Sequence, residues 1–322
     1  MLAGTEGAVV EPAGDGNINW VRRVRARNGR SFVVKQARAA LERFPEYQVT
    51  TERIVFEARY GEIVRGFAPG QAGVLPDLVF FDEPERVLVM EDLGDAPRLD
   101  RLLADERAKP ATLAALGEFL GAVHRATGEA IQSLVPKFAN DEMRALHGEH
   151  IFTLPYAPND FPIEPRLRIL ADSVLARPRV RERIAELRAR YYGAREALVH
   201  GDVQAGNVIV QGERPRLVDA EIAHVGDPAF DLGQALAHVH VHRVHARDVA
   251  VLAACEDALL AGYRRAAGDP GARLTDARGY AGVEILRRAI GAARLSILGT
   301  TARAERALEL GVALLSGGRT SL

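Results

Sequence analysis

Two hydrophobic rhythms divide this chain. In the first ninety or so residues, short runs with apolar and polar positions in alternation are separated by turn residues: NWVRRVRA (19–26), SFVVKQA (31–37), DLVFF (77–81) and RVLVMEDL (86–93). A period of two is what a strand needs to bury one face. Asn28 and Gly29 lie between NWVRRVRA and SFVVKQA, and such a pair predicts an antiparallel hairpin closed by a type I′ turn, with positive φ at both residues. The DEPE segment (82–85) predicts the turn of a second hairpin. Between the hairpins, TTERIVFEARYGEIVR (50–65) shifts to helical spacing, with Thr50 or Thr51 placed to cap it.

From Leu99 onward the helical period takes over, in TLAALGEFLGAVHRA, PRVRERIAELRARYY, ARDVAVLAACEDALLAGYRRA and GYAGVEILRRAIGAARL. The fold class this predicts is α+β. A small antiparallel sheet lobe with one helix (residues 1–92) joins a larger, mainly helical lobe (97–322) through a hinge at about 90–96. The Pro-rich stretch IFTLPYAPNDFPIEPR (151–166) reads as a long irregular loop.

Composition adds exclusions. With 48% hydrophobic and 26% charged residues among 322, and a net charge of −1, the chain has a globular profile and no basic excess to hold a nucleic-acid backbone. No apolar run reaches the length that crosses a bilayer, and MLAGTEGAVV lacks the basic and apolar regions of a leader. The expectation is a cytoplasmic protein with neither membrane nor nucleic-acid partner; a homodimer stays open. Cys255, the single cysteine, lies in the apolar run VAVLAACEDALLAGY and is expected to be a buried structural thiol.

Polar residues gather in one region. HGDVQAGN (200–207) places Asp202 and Asn207 in a short loop, and LVDAE (217–221) brings Asp219 and Glu221 back after a predicted hairpin. Hard oxygen donors of this kind suit Mg²⁺, which is commonly held by one or two carboxylates together with substrate phosphates. If Asn207 and Asp219 hold the metal, with Glu221 assisting, Asp202 is left to orient and deprotonate an attacking hydroxyl. Phosphoryl transfer asks for little beyond positioning and charge neutralisation.

This motif set, HGDVQAGN followed by LVDAE and GDPAFDLGQ, resembles the aminoglycoside phosphotransferase and choline kinase superfamily, which shares the protein-kinase fold. The resemblance implies ATP and Mg²⁺ as cofactors, a small hydroxylated acceptor as partner, Asp202 as base, and a bracing role for His200. Asp231 is expected to cap a helix with Gln234 as its partner. In the first lobe, Gly14, Gly16 and Asn17 of EPAGDGNIN are the candidate phosphate loop, and Lys35 of FVVKQ the candidate phosphate contact. Glu57, at mid-helix, is the candidate partner of Lys35, and the backbone from Glu91 to Leu93 the candidate adenine contact.

Among members of this superfamily, the methylthioribose kinases are similar in GDGNINWV, VVKQA, VMEDL, the two acids of DAE, GDPAFDLGQ and EILRRAIG. That resemblance implies a sugar-like acceptor held by Arg287 and Arg288. Adjacent arginines on a helix diverge by about 100°, so one can face a cleft while its neighbour braces it. RFPEYQVTTER lacks the tryptophan of that family's loop, and Asn207 stands where those kinases often carry Ser. HVHVHRVH places His238, His242 and His245 on one helical face, which is expected to be a polar surface.

Overall fold

The computed structural model describes residues 7–13, 18–40, 48–268 and 271–317. Gly14, Gly16 and Asn17 lie outside the described residues. The first lobe contains β1 (Val9–Pro12), β2 (Asn19–Arg25), β3 (Ser31–Ala37), α1 (Arg53–Phe67), β4 (Leu78–Asp82) and β5 (Val87–Glu91). The strands form an antiparallel sheet in the order β1-β2-β3-β5-β4, which makes β3 its middle strand. Lys35 pairs with Val21 on one side and Leu88 on the other. It shares a face with Val33 and Ala37, and that face packs on Ile54 and Ala58 of α1 together with Leu88 and Met90. The period of two therefore buries Lys35 beneath the helix.

The first hairpin forms with a different turn from the one expected. Gly29 donates to Ala26 C=O, Ala26 donates to Arg30 C=O, and of the central pair only Gly29 has positive φ, at +81°. Pairing ends at Arg25–Ser31, so five residues close the hairpin and a single left-handed glycine suffices. Helix α1 begins at Arg53, slightly later than expected, because Thr50 Oγ1 accepts from Glu52 N–H in the turn that precedes it.

The second lobe runs through α2 (Leu99–Ala104), α3 (Pro110–Gly128), α4 (Ile131–Leu134), α5 (Asp141–Phe152), α6 (Pro165–Leu175) and α7 (Pro178–Gly193). Four short strands follow: β6 (Ala197–Val199), β7 (Val208–Gln211), β8 (Arg214–Leu217) and β9 (His224–Gly226). The chain closes with α8 (Pro228–His242), α9 (Val249–Ala267), α10 (Gly271–Ile290) and α11 (Thr301–Leu315). β7 pairs with β8 and β6 with β9, both antiparallel. Residues 153–164 carry neither helix nor strand, as expected of the Pro-rich stretch.

Helices α3 and α9 approach so closely that a Cβ on Gly117 would sit 2.1 Å from Leu259 C=O, and one on Gly262 2.1 Å from Ala114 C=O. Helix α8 is buried along its whole length, enclosed by α9, α10, α2 and α3. The expected polar histidine face is thus wrong: His238, His240 and His242 are at most 3% exposed, and His245 lies beyond the helix end. Burial holds His238 well below the usual imidazole range and keeps it neutral. Cys255 is fully buried, as expected. Among the described residues no helix is long and apolar enough to cross a membrane.

Candidate active site

Lys35 is the node at which the lobes meet. Its Nζ lies 2.6 Å from Glu57 Oε2, 2.5 Å from Asp219 Oδ1 and 3.8 Å from Glu221 Oε2, and the residue is only 2% exposed. Burial opposes its charge, but the three carboxylates more than offset burial and hold the ammonium above its ordinary range. Glu57 is pushed up to about 7 by burial, against the pull of Lys35. Burial acts the same way on Asp219, but there Lys35 prevails and keeps the carboxyl below its usual range.

Glu221 is held by groups with no local sequence signal. Asn19 Nδ2 donates to Glu221 Oε2 at 2.7 Å, and Arg53 Nε lies 3.3 Å from the same oxygen. Arg53 is fully buried in the first turn of α1, and its Nη2 donates to Ile18 C=O and Asn19 Oδ1, both at 2.8 Å. The backbone of Glu221 is fixed as well, since Asn140 Nδ2 donates to the carbonyls of Glu221 and Ala223. One buried guanidinium therefore ties the start of β2 to α1 and to the DAE motif.

The loop after β6 is suspended from α8. Asp231, fully buried, accepts from His200 N–H at 2.7 Å and Gly201 N–H at 2.9 Å, and His124 Nε2 lies 3.2 Å from it. Gln234 Oε1 accepts from Val203 N–H at 2.9 Å. The expected capping role belongs instead to Asp227, whose side chain accepts from Ala229 N–H, while Asp231 sits inside the first turn and faces the loop. Gly201 has φ +85°, and a Cβ there would meet Ile222 C=O at 2.7 Å. His200 braces the loop as expected, edge-on to Tyr60 at 5.4 Å, and burial lowers its imidazole to about 4.

Asp202 projects from this loop. Asn207 Nδ2 donates to its Oδ2 at 2.8 Å and to its C=O at 3.0 Å, and Gln204 Nε2 donates to Oδ2 at 2.9 Å. Burial pushes the carboxyl up to about 6, although Arg288 and Arg287 pull the other way. The β7–β8 hairpin then returns the chain, with Val218 N–H donating to Asn207 C=O, and presents Asp219 at φ +66°. Both Nδ2 contacts of Asn207 go to Asp202, and among the described residues no hydrogen bond reaches its amide oxygen, which could therefore serve a cation. With the Asp219 carboxylate it makes an oxygen set suited to Mg²⁺. Among the described residues no three His, Cys, Asp or Glu side chains form a metal cage by themselves. The donor set fits a cation shared with phosphates.

A cleft open to solvent is lined by Glu57 and Asp219, the two close partners of Lys35, and by Ala58, Leu88, Met90 and Val218 among others. The strand β5 leads from it into the segment that joins the two lobes. There the Glu91 side chain pairs with Arg216 at 2.5 Å, and Leu93 C=O accepts from Gln211 Nε2 at 3.1 Å. Arg287 and Arg288, 6% and 8% exposed, are close enough to act on the Asp202 carboxyl, and both pair with Glu284. Arg287 Nε lies 3.1 Å and Arg288 Nε 2.6 Å from the Glu284 carboxylate.

Lys35, Glu57, Asp219 and Glu221 therefore come together, as do Asp202 and Asn207 with Arg288 beside them through Gln204. Glu91 ends β5, and Leu93 lies just beyond it, in the segment that joins the lobes. The sequence reading missed Asn19, Arg53, Gln204 and Glu284. Glu284 had a faint signal, since it precedes Arg287 and Arg288 by one helical turn.

A five-stranded antiparallel sheet with one helix, set against a mainly helical lobe and carrying a buried Lys–Glu pair, is the two-lobe kinase-like fold. Residues 9–269 match the model of the phosphotransferase enzyme family, and the chain belongs to that family. It is 30% identical over 241 residues to a methylthioribose kinase of Bacillus velezensis, covering 70% of this chain and 59% of that one. To the methylthioribose kinase of Exiguobacterium sibiricum it is 28% identical over 351 residues, 98% of this chain and 89% of the relative. The chain thus spans less than two thirds of the first relative's length and most of the second's. A choline/ethanolamine kinase family protein from Mesorhizobium loti shares the fold at TM-score 0.56 and 17% identity, over 99% of this chain and 95% of that one. So does amicoumacin kinase hAmiN, solved with AMP-PNP, Ca²⁺ and Ami, at TM-score 0.54 and 15% identity, over 96% and 88%.

Proposed function

We propose that this chain transfers the γ-phosphoryl group of ATP to a hydroxyl of a small sugar-like acceptor of the methylthioribose type. The observation that carries the reading is the buried Lys35–Glu57 pair, with the half-exposed Asp219 carboxylate on the same ammonium, beside the Asp202–Asn207 loop. Each half supplies what the other lacks. Lys35, held rigid by Glu57, grips the α- and β-phosphates, and the backbone from Glu91 to Leu93 receives the adenine. Asn207 and Asp219, with Glu221 assisting, would hold Mg²⁺, which when bound neutralises charge on the phosphate oxygens. Asp202 accepts the proton of the attacking hydroxyl, and its upward shift to about 6 keeps it basic enough to do so near neutral pH.

The acceptor wall supports a neutral sugar. One carboxylate, Glu284, stands between two guanidiniums, Arg287 and Arg288, which leaves a net positive charge facing the base. A cationic aminoglycoside or choline would be repelled there, whereas neighbouring hydroxyls suit a planar donor fork. The methylthioribose kinases among the relatives point the same way.

The test is ADP release from MgATP with methylthioribose, ribose, an aminoglycoside and choline, each against the Asp202→Asn variant as background. Methylthioribose or ribose giving the highest kcat/KM is the expected result. A polycation as best acceptor overturns the sugar reading, and no acceptor-dependent release with any of them overturns the kinase reading.

A further inference from the structure

Gln204 is the side chain through which the acceptor wall reaches the base. Its Nε2 donates to Asp202 Oδ2 at 2.9 Å and its Oε1 accepts from Arg288 Nη2 at 2.9 Å. Arg288 is anchored in turn by Nε on Glu284 Oε1 at 2.6 Å and Nη1 on Ala293 C=O at 3.2 Å. A guanidinium only donates and a carboxylate only accepts, so the amide of Gln204 has one orientation that satisfies both neighbours. Its carbonyl must face Arg288 and its NH₂ must face Asp202.

The effect on the base is directional. Gln204 and Asn207 both donate to Oδ2 of Asp202, and among the described residues Oδ1 receives no side-chain hydrogen bond. We propose that Gln204 is a positioning residue for Asp202: anchored by Arg288 and Glu284, it fixes the carboxylate so that Oδ1 meets the acceptor hydroxyl. Arg288 is then engaged in this relay, and Arg287 is left as the arginine for the acceptor. Arg287 pairs with Glu284 through Nε at 3.1 Å, and the side-chain hydrogen bonds among the described residues include none from its Nη atoms. The relay rests on the phosphotransferase reading of the site, because it needs Asp202 to be the base.

Gln204→Glu separates positioning from packing. The variant is isosteric and keeps an oxygen for Arg288, but it has no N–H for Asp202 and sets a second negative charge beside it. The expected result, with MgATP and methylthioribose or water as phosphoryl acceptor, is a loss of roughly 10–10²-fold in kcat with KM for ATP unchanged. In the Asp202→Asn background the same substitution should cost less than about twofold, since a residue that acts through Asp202 has nothing left to position. Arg288→Gln should follow Gln204→Glu, whereas Arg287→Gln should raise the acceptor KM instead. An equal loss in both backgrounds marks a merely structural role and overturns the relay, as does a Gln204→Glu variant with wild-type kcat. A wild-type chain that turns over neither acceptor removes the base assignment itself, and the relay falls with it. A wild type that works and a Gln204 variant that works equally well refute the relay alone.

Discussion

Asp231→Asn removes one oxygen from the support of the catalytic loop, and its cost can be worked from the contacts. The wild-type carboxylate is 0% exposed and takes two backbone N–H bonds, from His200 and Gly201, besides its contact with His124. Asn keeps one accepting oxygen, so at least one of those backbone donors must face an NH₂ group. A hydrogen bond to a charged group contributes about 1.5–3 kcal/mol, and a buried donor left unpaired costs about 1–3 kcal/mol. These overlap, and a net loss of about 3 kcal/mol is expected, a large share of the roughly 5–15 kcal/mol that holds a domain folded. Urea unfolding should show a lower midpoint at unchanged slope.

The pH dependence of that loss is also fixed in sign. Burial alone would raise the Asp231 carboxyl, but His124, His200 and the Gly201 N–H hold it below 3.8. A carboxylate depressed on folding contributes stability above its unfolded value and loses it as pH falls through the folded one. The gap between wild type and variant should thus be constant above about pH 5 and narrow in more acid solution. A difference under 1 kcal/mol at pH 7, or one that widens on acidification, would refute the suspended-loop account.

Because Asp202 is raised to about 6 and is the base in the proposed reaction, kcat should fall as pH drops below about 6, and Asp202→Asn should lower it by about 10²–10⁴-fold at unchanged KM for ATP. An acid limb near 4 would assign the proton to another group. Lys35→Met leaves Glu57 without its cation; unfolding curves should show a loss of about 3 kcal/mol at pH 8 and less at pH 5, because a carboxyl raised on folding is better tolerated in its protonated form. Titration calorimetry should find MgATP binding sharply weakened in the same variant, and unchanged affinity would remove Lys35 from the phosphate site. Gly117→Ala places a methyl carbon 2.1 Å from Leu259 C=O, so α3 and α9 must part, and calorimetry should record a lower Tm from a loss of about 1–3 kcal/mol.

The residues legible in advance share a property: spacing along the chain fixes their position. Lys35 follows from strand alternation, Glu57 from helical spacing, and Asp202, Asn207 and Asp219 from a short loop and the hairpin after it. Asn19 and Glu221 bond across 202 positions of sequence, and no local pattern encodes such a pair. Arg53 lies one position before the apolar residues of α1 and reads as a solvated helix end, yet the junction of the lobes encloses it completely. The histidines of α8 mislead for the same reason: composition suggests a wet face, and only the neighbouring helices decide that the face is dry. The turn at Asn28 and Gly29 shows a subtler limit, since the dipeptide marks the hairpin but loop length selects the turn.

The backbone at Asp219 governs what mutagenesis of this proposed metal acid can mean. At φ +66° this residue occupies a region that glycine enters freely and that Asn and Asp visit more readily than other side chains. An Ala substitution there removes the carboxylate and also strains the main chain by about 1–2 kcal/mol, so part of its damage has nothing to do with a cation. Asn deletes the charge and keeps the conformation, while Gly deletes the side chain and relaxes the strain. Only the Asn and Gly variants, measured side by side, isolate the carboxylate; an alanine scan through LVDAE would credit the metal with energy that belongs to the backbone.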